Sequence, residues 1–204
     1  MENVSQPETL EHSEKKMGGW VKRFSTLIGL ILICIVLSLT SKHFLSLENF
    51  INILLQNANI AILAVGLTLV ILLGEIDLSV GGVEALGCVV AAWMMVYGGL
   101  GIIPSIIIAL IAGTLCGLIS GFFVAYFRFH SFVSTLAMMG IARGLALIYT
   151  HGASIYGLPD SFRFIGQGSI GPIPVPVLVA AVVLLLAHLL LTQFRLGNHI
   201  YAVG

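Results

Sequence analysis

Three carboxylates stand isolated in a long apolar stretch. Between Phe50 and Phe127 the formally charged residues are Glu75, Asp77 and Glu84. They gather in Gly74-Glu75-Ile76-Asp77-Leu78-Ser79-Val80-Gly81-Gly82-Val83-Glu84. An acid at membrane depth costs at least about 2–3 kcal/mol on insertion scales, so it marks an ion or solute contact or needs a partner. Gly74, Gly81 and Gly82 permit non-helical backbone, and Asp77 or Ser79 can cap a helix that follows. The segment therefore predicts a helix break and a fresh helix start. In one reading it is a cytoplasmic turn with Asp77 as a plain cap. In the other it lies within the membrane and lines a water-filled path, as in transporters with broken helices. Glu84 falls inside the following helix, needs a polar neighbour, and favours the second reading.

Arg143 is the mirror case, a base within an apolar run. It can snorkel, end its helix early, or pair with an acid, and Glu84 is the acid expected to form that buried polar pair. Gln56, Asn57 and Asn59 suit hydrogen bonds between helices better than contact with a polar solute. The six histidines lack metal spacing, and Cys34, Cys88 and Cys116 sit in apolar runs without a disulfide pattern, so no metal site is expected. The chain has no Gly-x-x-x-x-Gly-Lys-[Ser/Thr] loop, no His-Glu-x-x-His and no Gly-x-Ser-x-Gly. An enzyme is not expected, no cofactor is assigned to this chain, and any energy source lies elsewhere.

The elements that must position these residues are membrane helices. Of 204 residues, 58% are hydrophobic and 9% charged, and mean hydropathy is +1.09. A soluble domain carries about 25% charged residues, and polar groups must cover its outside. Net charge is zero, which offers no basic field to nucleic acid. Four of the nine acids and four of the nine bases lie in residues 1–24, so a polar tail (1–23) precedes a membrane domain (24–204). Apolar runs at roughly 24–41, 53–73, 80–97, 102–127 and 174–194, with a sixth at 131–150 around Arg143, predict an all-α polytopic bundle of about six spans. Its break or re-entrant helix falls near 74–82. Lys15, Lys16, Lys22 and Arg23 place the N-terminus in the cytoplasm; Arg128 and Arg195 then fall inside, and Lys42 and Arg163 outside. The Gly- and Pro-rich loop from His151 to Val175 is expected outside, ordered by turns, as a docking surface or a plain connector.

One span carries a further pattern. Ala109, Gly113, Gly117, Gly121 and Ala125 recur every four residues, along one helix face. Small residues let helix backbones approach closely, which predicts a tight interface with a neighbouring helix; glycine is also simply common in membrane helices. Gly140 and Gly144 repeat the spacing once.

Glu75-Ile76-Asp77-Leu78-Ser79-Val80-Gly81 resembles the Ile-Asp-Leu-Ser-Val-Gly signature of bacterial ABC-type permeases of the ribose/xylose/arabinose/autoinducer-2 group. Ser131-Phe132-Val133-Ser134-Thr135-Leu136, Ala142-Arg143-Gly144-Leu145-Ala146 and Ile173-Pro174-Val175-Pro176 resemble later segments in the same order. Thr192 to Gly204 resembles the lead-in to the cytoplasmic coupling segment. Ser131 stands where Pro is usual, and Asn198 where Arg or Lys is common. The resemblance runs from about residue 50 to the end and implies a monosaccharide permease of the bacterial inner membrane. It implies a cytoplasmic ATPase that binds the ATP, a second permease copy or paralogue, and an extracytoplasmic sugar-binding protein. Such permeases have about 300 residues or more. The chain is thus expected to be their N-terminal two-thirds, without the coupling helix and unable by itself to engage an ATPase productively. An ion-coupled secondary transporter using Glu75, Asp77 or Glu84 is the alternative, with a non-transporting scaffold third.

Overall fold

The computed structural model describes residues 8–204, with side chains from Phe24 onward. The polar tail therefore lies outside the residues whose side chains are described. Helix α1 (Glu8–Thr40) begins well before the apolar run at residue 24. Ser46 starts α2 (Leu47–Leu72): its Oγ accepts the N–H of Asn49 at 3.2 Å, a serine cap on the third helical residue.

Then come α3 (Val80–Val96), α4 (Ile102–Phe127) and α5 (Ser131–Thr150). The connector from His151 to Val175 is more structured than turns alone. It contains a short amphipathic helix, α6 (Asp160–Gln167), and a two-stranded hairpin pairing β1 (Ser169–Ile170) with β2 (Ile173–Pro174). Helices α7 (Val175–Gln193) and α8 (Arg195–Val203) complete the described chain. Four helices, α2, α4, α5 and α7, are long and apolar enough to cross a membrane; the apolar stretches Phe24–Thr40 and Val80–Val96 are shorter. Together they match the six expected runs.

By contact the chain divides after Asn52, and the candidate site lies wholly in the unit from Ile53 to Gly204. The core of that unit is α3, α4 and α5, joined through Leu86, Cys116, Met138, Ala142 and Ala146, with Val83, Val89 and Val90 against them. On α5 the buried residues Ser134, Met138, Ala142 and Ala146 recur every four positions. They are mostly small, so the helices meet closely. The closest approach comes at Gly82, where a Cβ would stand 2.7 Å from the Met139 carbonyl oxygen. Most large apolar side chains face outward instead, as a chain solvated by lipid requires.

Candidate functional site

The break between α2 and α3 is built by local hydrogen bonds. Gly74 takes a positive φ of 76°. Its N–H donates to the Ile71 carbonyl at 2.9 Å, and the Glu75 N–H donates to the Val70 carbonyl at 3.2 Å. That is a Schellman ending, and a glycine in left-handed backbone is what it requires.

From Glu75 to Ser79 the chain is non-helical and runs beside the start of α5. The Ile76 N–H donates to Ser131 Oγ at 3.2 Å, and the Leu78 N–H donates to Thr135 Oγ1 at 3.1 Å. Two residues of extended chain rise about 6.6 Å and four residues of helix about 6 Å, so alternate N–H groups fall in step with hydroxyls spaced i, i+4. The two hydroxyls thus replace a neighbouring strand. Neither had a role in the sequence reading beyond the resemblance. The signal was available as a Ser and a Thr four residues apart on the helix that follows the break.

Asp77 then opens α3. Its Oδ1 accepts the Ser79 N–H at 2.7 Å and the Ser79 hydroxyl at 2.6 Å. An aspartate that binds the backbone two residues on forms an Asx turn. Of the two expected caps, Asp77 does the work; Ser79, buried, makes no side-chain cap bond of its own. The break lies beside the first two turns of α5, at the end of the core where α4 stops at Phe127. It is therefore at the rim of the three-helix core, not halfway along it.

Glu84 does not pair with Arg143. Its Oε1 accepts the Asn59 Nδ2–H at 2.6 Å, a bond from α2 to α3. Arg143 lies exposed on α5, and among the described residues the ion pair is Asp160–Arg163, on the surface at 3.5 Å. The expected pairing fails because α3 presents Glu84 toward α2, whereas α5 packs on α3 through Ala142 and its neighbours. Asn57 bonds within its own helix, to the Ile53 carbonyl at 2.7 Å.

Of these residues Asp77, Ser79 and Glu84 line one open groove of about 620 Å³. One wall is a stripe of α3, comprising Val80, Val83, Glu84, Gly87, Cys88 and Ala91. The facing wall is a matching stripe of α4, comprising Ile106, Ala109, Leu110, Gly113, Thr114 and Gly117. Asp77 and Ser79 line one end, and Phe162 of α6 lines the groove as well. Each stripe spans eleven residue steps, about 16 Å of helix.

The row of small residues thus belongs to the groove more than to a helix seam. Gly113 only touches Val83, at 3.5 Å from a notional Cβ, and Gly117 and Gly121 face open space, Gly121 outside the groove. The tight seam is made by Gly82, which had been assigned to the break. Gly81 faces open space, and Glu75 is half-buried without a side-chain hydrogen bond among the described residues. A second cleft of about 350 Å³ is lined by Asn59, Ile165, Gly166 and Pro176 among others. Phe162, Thr114 and the dual position of Asn59 were not foreseen. No set of three or more His, Cys, Asp or Glu side chains is grouped for a metal among the described residues.

Comparison with known proteins adds to this geometry. Residues 49–204 match the family described as branched-chain amino acid transport system / permease component. The chain is 39% identical over 198 residues to a ribose import permease protein of Haemophilus influenzae, covering 95% of this chain and 61% of that protein. It is 37% identical to the ribose import permease protein of Escherichia coli, covering 91% and 59%. A D-allose transport system permease protein of Escherichia coli is 34% identical, covering 95% and 61%. The chain thus spans about 60% of the length of these relatives. No solved structure matches it significantly.

Proposed function

Because the chain belongs to the family of branched-chain amino acid transport system permease components, we propose that it builds the translocation path of an ATP-driven importer for a monosaccharide or similar small polyol. The observation that carries this reading is the groove. It brings the helix break, Glu84 and the small-residue row of α4 onto one surface that runs along the core helices. Small residues leave the space between its walls unfilled, and Asp77 and Glu84 give a hydroxylated solute polar groups to exchange for water. The sugar is chosen over an amino acid on the strength of the ribose and allose relatives.

In this reading the protein sits in the bacterial inner membrane with its N-terminus in the cytoplasm. A second permease copy or paralogue completes the path, an extracytoplasmic binding protein delivers the sugar, and a cytoplasmic ATPase supplies the energy. A solute can shift a two-state balance only by its differential affinity for the two states, so a weakly held sugar leaves the switching to ATP.

The test is uptake of labelled D-ribose into vesicles bearing the full-length protein with its ATPase and binding protein. Uptake is expected to need ATP and to survive a protonophore. Uptake driven by an ion gradient without ATP would overturn the proposal.

A further inference from the structure

Taking the groove as a solute path, we propose that Glu84, held by Asn59, is its hydroxyl-binding station, specific for neutral polyols. The argument runs through the polar side chains of the groove. The Ser79 hydroxyl is spent on Asp77 Oδ1, at 2.6 Å. The Thr114 hydroxyl is spent on the Leu110 carbonyl, at 2.8 Å. Asp77, at the groove's end, turns Oδ1 to the start of α3. Glu84 differs from all three: it stands within the α3 stripe, and its one bond goes to another helix. That bond uses Oε1. Among the described residues Oε2 has no hydrogen-bond partner, and none of the described cations is within ion-pair distance of the carboxylate.

A carboxyl placed among apolar walls is costly unless something uses it. The Asn59 amide fixes its orientation without neutralising it, as a cation would. What remains is an acceptor facing a space large enough for a sugar and bordered by small residues. Sugar hydroxyls donate to such an oxygen. An anionic solute is repelled by it, and an aliphatic side chain gains nothing from it. A branched-chain amino acid brings an ammonium that the carboxylate attracts, but also a carboxylate that it repels and a side chain that it cannot serve, so the station favours polyols, whose every hydroxyl can donate to it.

Cys88, one helical turn beyond Glu84, lines the same groove and is exposed, whereas Cys116 is buried in the core. It is a native reporter. Membrane vesicles carrying the full-length protein are treated with a small water-soluble thiosulfonate, and labelled peptides are separated by mass spectrometry, which distinguishes Cys88 from Cys34 and Cys116. Cys88 is expected to react, D-ribose at tens of millimolar to slow the reaction at least threefold, and L-leucine to leave it unchanged. Glu84→Gln keeps an oxygen for Asn59 but replaces the free acceptor with a donor. It is expected to lose the ribose protection, and to cut uptake about tenfold while ATP hydrolysis stimulated by the loaded binding protein persists.

The outcomes separate. If Cys88 never reacts, the groove is not an aqueous path and the functional reading fails with the station. If Cys88 reacts but ribose gives no protection, or if Glu84→Gln is protected and transports like wild type, the station alone is wrong. Glu84 then only joins α3 to α2. Equal protection by ribose and leucine would overturn the polyol specificity.

Discussion

Thr135 uses one oxygen both as acceptor and as donor. It accepts the Leu78 N–H at 3.1 Å and donates to the Ser131 carbonyl at 2.7 Å. Valine has nearly the same shape and no acceptor, so Thr135→Val leaves the Leu78 N–H unpaired, a loss of about 1–3 kcal/mol. The variant is expected to melt earlier in detergent than wild type, and Thr135→Ser to melt near it; equal melting of Thr135→Val and wild type would mean the hydroxyl does not hold the segment. Ser120 is the opposite case. Its hydroxyl is buried with no hydrogen-bond partner among the described residues, while its carbonyl accepts the Ser134 hydroxyl at 3.1 Å. Ser120→Ala removes only the orphaned group and is expected to leave thermal stability unchanged or raised, whereas Ser134→Ala is expected to lower it by about 1 kcal/mol. The residues most visible from sequence were the charged ones, because charge in an apolar run is conspicuous. Hydroxyls are not, since serine and threonine in membrane helices usually bond back to their own helix, as Thr68 and Thr114 do here.

At the scale of elements, the glycines divide by what lies opposite them. Gly82→Ala would drive a Cβ against the Met139 backbone, at 2.7 Å from its oxygen, and force α3 and α5 apart. A loss of about 1–3 kcal/mol is expected, read as a lower melting temperature. Gly117→Ala meets nothing within 4 Å and is expected to melt like wild type, so any fall in its uptake would report on the groove and not on the fold. Spacing alone could not rank these two positions. A four-residue repeat places glycines on one helix face but does not say what the face meets. The spans themselves were legible, since α3, α4 and α5 begin and end close to the apolar runs at 80–97, 102–127 and 131–150. Helix α6 was not, because its eight residues mix Asp160, Arg163 and Gln167 with aromatic ones and are bounded by Pro and Gly. Nor was the partner of Glu84: hydropathy orders helices along the membrane normal and is silent on which faces turn to each other.

At the scale of the molecule, orientation is expected to follow from where the bases fall. Arg128, after α4, and Arg195, the first residue of α8, lie on the side of the helix break, and Arg163 lies in the connector on the opposite side. With bases retained in the cytoplasm, cysteine at position 195 is expected to be shielded from an impermeant maleimide in intact cells, and cysteine at position 163 to be labelled. The reverse pattern would invert the topology. Arg163→Cys costs only an exposed surface ion pair, so the reporter leaves the fold in place.

The Schellman ending and the hydroxyl contacts together determine where this molecule can swivel. Every bonded N–H up to Glu75 is anchored to α2, through Val70 and Ile71. From Ile76 onward the N–H groups of Ile76 and Leu78 are anchored to α5, and Asp77 carries the start of α3 with them. The two anchorages meet at Glu75, whose φ and ψ are the torsions between its own N–H, held by α2, and the Ile76 N–H, held by α5. Rotation there turns α2 against the core without breaking a backbone hydrogen bond on either side. The Asn59–Glu84 bond, thirteen residues up α2 from its end at Leu72, is the catch that such a turn must release.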